Sequence, residues 1–259
     1  MTALHRIAIG GRELEFVRIP ASRPALPTLV FLHEGLGSVA LWRDFPATLA
    51  QLTGCGALVY SRYGNGFSTP LRERRAASYM HDEALATLPS LLEALEIDET
   101  VVVGQSDGGS IALIFAAGHP SMVRGLLLEA PHVFVEPLSV GSIASIKGEY
   151  ERGGLRERMA PYHGDVDRTF YGWNDVWLSV EFAQWNIEEY VRRLTAPALL
   201  VQGIEDEYGT AAQLEAIARQ APAPVDRVLL ARCGHSPHRE RRGVLERVAA
   251  AWIDERCPK

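Results

Sequence analysis

Apolar residues in this chain fall into short unbroken runs, separated by longer stretches where they recur every three or four positions. Ile7-Ala8-Ile9 and Leu14-Glu15-Phe16-Val17 flank Gly10-Gly11, the pattern of an antiparallel hairpin. Residues 28–33 and 57–61 are nearly continuous apolar runs, as strands buried on both faces of a parallel sheet require. Between them the spacing predicts a helix over 39–52, with Leu41, Trp42, Phe45, Leu49 and Leu52 along one face. A second helix is predicted over 79–95, after which Ile97-Asp98-Glu99 turns the chain into the run Val101-Val102-Val103. Further strands are predicted at 123–130, 198–203 and 225–230, and an amphipathic helix closes the chain. Strand and helix in alternation make the class α/β.

Residues 131–193 break that rhythm. The stretch is helix-like and rich in aromatic residues, and it separates a predicted core of 1–130 and 194–259 into two segments. The insertion falls between the sixth and seventh predicted strands. Most of its aromatics should pack the insertion onto the core, and about a third should face a pocket, because such sites are aromatic-lined with few polar groups. Phe134, Trp173, Trp177 and Trp185 are the candidates, with Tyr208 from the later loop.

The chemistry sits at strand ends. Gly104-Gln105-Ser106-Asp107-Gly108-Gly109 follows the valine run and opens a small, apolar helical pattern. A serine in G-x-S-x-G between a strand and a helix is held on a sharp, strained turn with its hydroxyl projecting from the sheet. Such a nucleophile needs a base, and the base needs an orienting carboxylate. Glu205, Asp206 and Glu207 follow the strand at 198–203, and Asp206, the last residue of G-x-x-D from Gly203, is the candidate acid. Past the next strand, Cys233-Gly234-His235-Ser236-Pro237-His238 offers two histidines. His235 lies in the loop itself and is the candidate base, whereas His238 is read into the first turn of the closing helix.

Those motifs, in that order, resemble the α/β-hydrolase fold family over essentially the whole chain. Leu29 to Ser38 resembles the family's first central strand and oxyanion loop, and Ser61 to Ser68 its G-x-G-x-S turn. The resemblance implies a mostly parallel eight-stranded sheet with helices on both faces and a small helical cap. It also implies a Ser106, Asp206, His235 triad that uses no metal or organic cofactor. The oxyanion donors would be the N–H of Asp107 and that of Gly35 or Leu36. The family's usual His-Gly pair is here His33-Glu34-Gly35, and Ser61 stands where Asp usually begins the next turn, a place it can fill by capping that turn. The S-D-G-G elbow is similar to that of biphenyl hydrolase-like esterases, in which the aspartate receives the substrate's amino group. Asp107 has that role open to it, with Glu34 nearby, or a simpler one at the positive end of the following helix.

The implied activity is hydrolysis of a small carboxylic ester or thioester through an acyl-enzyme. Cleavage of a carbon–carbon bond in a ring-fission product of aromatic degradation is the alternative, and a ligand receptor on the same scaffold is a third. A formal charge of −6 argues against nucleic acid and an anionic membrane surface as partners. No run approaches the roughly 20 apolar residues of a membrane span. The N-terminal residues carry charges and lack the apolar core of a signal peptide, and three widely spaced cysteines suit free thiols in a reducing cytoplasm. Arg239, Arg241 and Arg242 read first as a solvated helix face, with an anchor for an anionic substrate tail as the lesser reading.

Overall fold

The computed structural model describes residues 3–257. Eight strands form one sheet: β1 (Leu4–Ile9), β2 (Arg12–Ile19), β3 (Thr28–Leu32), β4 (Ala57–Tyr60), β5 (Thr100–Gln105), β6 (Val123–Glu129), β7 (Ala198–Gly203) and β8 (Val225–Leu230). Their spatial order is β1-β2-β4-β3-β5-β6-β7-β8. β1 and β2 form the antiparallel hairpin and β2 joins β4 antiparallel, while every pair from β4 to β8 is parallel. Parallel strands buried on both faces explain the unbroken apolar runs. Val30, Leu32, Val102, Leu126, Leu128 and Leu200 enter one core, and Leu29, Phe31, Val101, Val103, Leu127, Leu199 and Val201 the other.

Helices α1 (Phe45–Thr53), α2 (Tyr79–Asp82), α3 (Leu88–Ala94) and α4 (Asp107–Gly118) connect the first six strands. The insertion between β6 and β7 holds α5 (Pro137–Glu151), α6 (Gly154–Met159), α7 (Val166–Trp177) and α8 (Glu188–Val191). Then come α9 (Ala211–Gln220), the short α10 (Pro237–Glu240) and α11 (Arg242–Arg256). On α7, Asp165 accepts the Arg168 N–H as N-cap, and Val166, Thr169, Phe170, Trp173, Val176 and Trp177 form the buried face at helical spacing.

Two predicted helices are interrupted. The 39–52 stretch is a 3₁₀ turn over Val39–Trp42, a break at Arg43 (φ 55°), and then α1. Pro46 accounts for the restart, since it suits only the first turn of a helix. The 79–95 stretch carries a π-turn over Glu83–Thr87 between α2 and α3. Pro89, which has no N–H for the preceding turn, sits just after it.

Candidate active site

Ser106 lies between β5 and α4 with φ 53° and ψ −119°, a conformation that costs a non-glycine residue about 1–3 kcal/mol. Its N–H donates to the Glu129 carbonyl at 2.9 Å, and its own carbonyl accepts from Gly109 N–H and Ser110 N–H. A Cβ on Gly108 would overlap the Leu32 carbonyl, and one on Gly104 would overlap the Gly108 carbonyl. The turn is therefore closed by backbone packing, which only glycine at these two places permits.

Asp206 and His235 meet at the same edge. The loop after β7 places the Asp206 carboxylate to accept from His235 Nδ1 at 2.8 Å, Tyr208 N–H at 2.8 Å and Gly209 N–H at 3.2 Å. Gln202 Nε2 donates to its other oxygen at 3.0 Å. Burial works against ionising Asp206, but these donors and the imidazole outweigh it and hold its pKa below the usual carboxylate value. Burial likewise opposes a charge on His235. The hydrogen bond and charge of Asp206, with Glu207 and Glu34 further off, outweigh it and move the imidazole up. The loop carrying His235 is fastened by Glu240, which accepts from Gly234 N–H and Ser236 N–H, and by Gln105 Nε2, which donates to the His235 carbonyl at 3.1 Å.

His238 is placed elsewhere. It is buried between Trp42 and Phe45, and both its N–H and its Nδ1 lie on Glu129 Oε2, at 2.8 and 3.0 Å. Glu129 thus joins the elbow, through its carbonyl on Ser106, to the base of the histidine loop, through its carboxylate. Nothing in the sequence marked it, because at the end of a buried strand a glutamate has no local pattern.

The loop expected to supply an oxyanion donor is held from below. Buried Arg62 donates to the carbonyls of His33 and Glu34, and Asn65 Nδ2 donates to those of Gly35 and Gly37. The N–H groups of Asp107, Gly35 and Leu36 have no partner among the described residues. Ser61 does not cap its own turn. Its hydroxyl donates to Glu15 at 2.5 Å and accepts the Val39 N–H, because Glu15 on β2 is the buried acceptor within reach.

Ser106, Asp107, Gly35, Leu36 and His235 line one cavity of about 570 Å³ under α5, α6 and α7. Glu34, Trp173, Trp177 and Tyr208 also line it. Phe134 and Trp185 do not, contrary to expectation: Phe134 pairs with Asn186 in an isolated bridge, and Trp185 stacks on Phe182 inside the core. Tyr162, Met159 and Ile143 come from the insertion instead. Arg239 is not a purely solvated charge, for it reaches the cavity mouth and donates to the Leu41 carbonyl. Arg242 pairs with Asp44 and Glu246. Asp107 is 1% exposed, and its carboxylate accepts from Tyr79 OH at 2.5 Å and Trp177 Nε1 at 3.2 Å. Burial raises its pKa against the opposing charges of Arg62 and Arg75. Among the described residues no group of three or more His, Cys, Asp or Glu stands together as a metal cage. No described helix is long and apolar enough to cross a membrane.

The family described as alpha/beta hydrolase fold matches residues 27–149, from β3 through the elbow and into α5. A proline iminopeptidase of Lactobacillus helveticus is 30% identical over 116 residues, 44% of this chain and 39% of that protein. The chain thus matches about two fifths of that relative's length. A 2-hydroxymuconate semialdehyde hydrolase of a Pseudomonas species is 33% identical over 102 residues, 39% of this chain and 35% of the relative. A solved serine hydrolase from Cycloclasticus zankles superposes with a TM-score of 0.76 at 15% identity, covering 100% of both chains. At that identity the likeness concerns the fold. The strand order, the matched stretch and the superposition agree, and the chain has the α/β-hydrolase fold.

Proposed function

We propose that this chain is a serine hydrolase that cleaves a small carboxylic ester or thioester through an acyl-enzyme. The observation that carries this reading is one cavity in which a serine on a strained elbow and a histidine held by a buried aspartate both take part. His235 removes the Ser106 proton as Oγ attacks the carbonyl carbon, and Asp206 fixes the tautomer and steadies the imidazolium. Asp107 N–H and an N–H from Gly35 or Leu36 receive the oxyanion. The leaving group takes the proton from His235, water enters, and His235 activates it to release the acid. Residues 131–193 act as the cap that excludes bulk water, with Trp173 and Trp177 in its inner wall.

The similarity to a 2-hydroxymuconate semialdehyde hydrolase supports carbon–carbon bond cleavage as a second reading, since the same triad and cavity serve both. The similarity to proline iminopeptidases adds an N-terminal prolyl amide to the candidates. A panel of aryl esters, an acyl thioester, a ring-fission dienoate and a prolyl arylamide tests them together. The ester or thioester is expected to have the highest kcat/KM, and a dienoate turned over faster than every ester overturns the first reading.

His235 is a base only when neutral, so kcat/KM should rise with pH through its pKa. Because that pKa is raised, the midpoint should lie above the ordinary histidine value near 6.5. A profile flat from about pH 5 to 9 contradicts a histidine base.

Asp107 is best read as a tie between elbow helix, α2 and α7, because its two oxygens already accept from Tyr79 and Trp177. Asp107→Ala should destabilise the fold by about 1–3 kcal/mol through the stranded donors. It should also lower kcat/KM by the same factor for amino-bearing and neutral esters. A selectively larger loss on the amino-bearing ester would instead put the substrate ammonium on this carboxylate.

A further inference from the structure

His132, just past β6, is used by none of the steps above. It is 2% exposed, and it lines the cavity that holds Ser106. Its backbone is locked to α4, since the Ser110 hydroxyl donates to its carbonyl at 2.7 Å and accepts its N–H at 3.3 Å. Its ring lies edge-on to Trp177 at 5.3 Å and 5.7 Å from the ring of His235. Neither ring nitrogen has a hydrogen-bond partner among the described residues, and Nδ1 is fully enclosed. Burial and the neighbouring His235 push its pKa down to about 3, against the pull of Asp206, so the imidazole is neutral wherever the enzyme works.

A neutral imidazole carries one donor and one acceptor. Burying such a group unsatisfied is costly, and native interiors seldom keep one without a use. An enclosed orphan N–H is rarer than an unfilled acceptor. The proton therefore belongs on Nε2, with the Nδ1 lone pair left in the enclosed position.

We propose that His132 is a substrate-binding residue whose Nε2–H selects acyl groups carrying a second, uncharged acceptor oxygen beside the scissile carbonyl. This rests on the acyl-transfer reading and names its substrate class: oxo-substituted acyl esters rather than plain alkanoates. One satisfied neutral hydrogen bond corresponds to roughly a tenfold preference.

The test compares 4-nitrophenyl pentanoate with its 3-oxo and 4-oxo analogues in wild type and His132→Phe. Phenylalanine keeps an aromatic ring against Trp177 and removes both nitrogens. Wild type should favour one oxo ester, relative to its uncatalysed hydrolysis, by about tenfold, and in His132→Phe the ratio of oxo to plain ester should fall to about one, whatever the absolute rates. No preference in wild type, or a preference that survives His132→Phe, overturns the proposal. Nitrogen-15 NMR of wild type decides the matter without turnover. The His132 ring should be the neutral Nε2–H tautomer from pH 5 to 8 and should shift with 4-oxopentanamide but not with pentanamide. The Nδ1–H tautomer, a titration in that range, or equal response to both amides overturns it. If no ester is hydrolysed at all, the acyl-transfer reading fails, and the NMR result still stands for or against His132.

Discussion

Ser106→Ala and His235→Ala should each lower kcat by about 10⁶-fold, and the double substitution should be scarcely worse than either alone. The non-additivity follows from the mechanism, because the serine is a poor nucleophile without its base and the base has nothing to deprotonate without the serine. Residual turnover should come from the oxyanion donors and binding, which neither change removes. His238→Ala is the informative control. It opens a cavity between Trp42 and Phe45 and removes one of the two donors on Glu129 Oε2, the backbone N–H remaining, so its cost should appear as about 1–3 kcal/mol of stability. At a temperature where the variant is folded, its kcat should fall far less than that of His235→Ala. Steady-state kinetics with thermal unfolding of the three variants checks this, and a crippled His238→Ala beside a nearly active His235→Ala would reassign the base.

Asp206→Asn should cost about 10⁴-fold in kcat with KM little changed. An amide that turns its NH₂ toward His235 presents a donor where Nδ1–H needs an acceptor. Turned the other way, it meets the Gln202 amide nitrogen, which donates to Asp206 at 3.0 Å and to the Gly209 carbonyl at 2.7 Å. Either the imidazole takes the wrong tautomer or Gln202 must flip and leave Gly209 without its donor. The kinetic midpoint should also move down, since Asp206 is what raises the His235 pKa against burial. An unchanged midpoint with unchanged kcat would mean that Asp206 does not orient the base.

The strands were legible in the sequence because a sheet buried on both faces leaves unbroken apolar runs, as 101–103 and 198–201 do. The elbow was legible for a related reason: Gly104 and Gly108 are forced by packing that no other residue tolerates. Asp206 and His235 followed from loops at one sheet edge in the right chain order. What pattern could not give were contacts between distant segments. Glu129 and Arg62 act through partners remote in sequence, and His132 was passed over because an isolated histidine after a strand carries no spacing to read. The aromatic insertion misled for the converse reason. Composition predicts that aromatics will be buried but not against what, so Trp185 went to Phe182 and the core, while Trp173 and Trp177 turned to the cavity.

The central claim is that Ser106 is a nucleophile activated by His235. Covalent labelling with a fluorophosphonate, read by peptide mass spectrometry, tests it without knowledge of the substrate. The label should appear on the peptide containing Ser106, vanish in Ser106→Ala, and form orders of magnitude more slowly in His235→Ala than in wild type. A label on any other residue, or labelling of Ser106 at the wild-type rate without His235, would contradict the account.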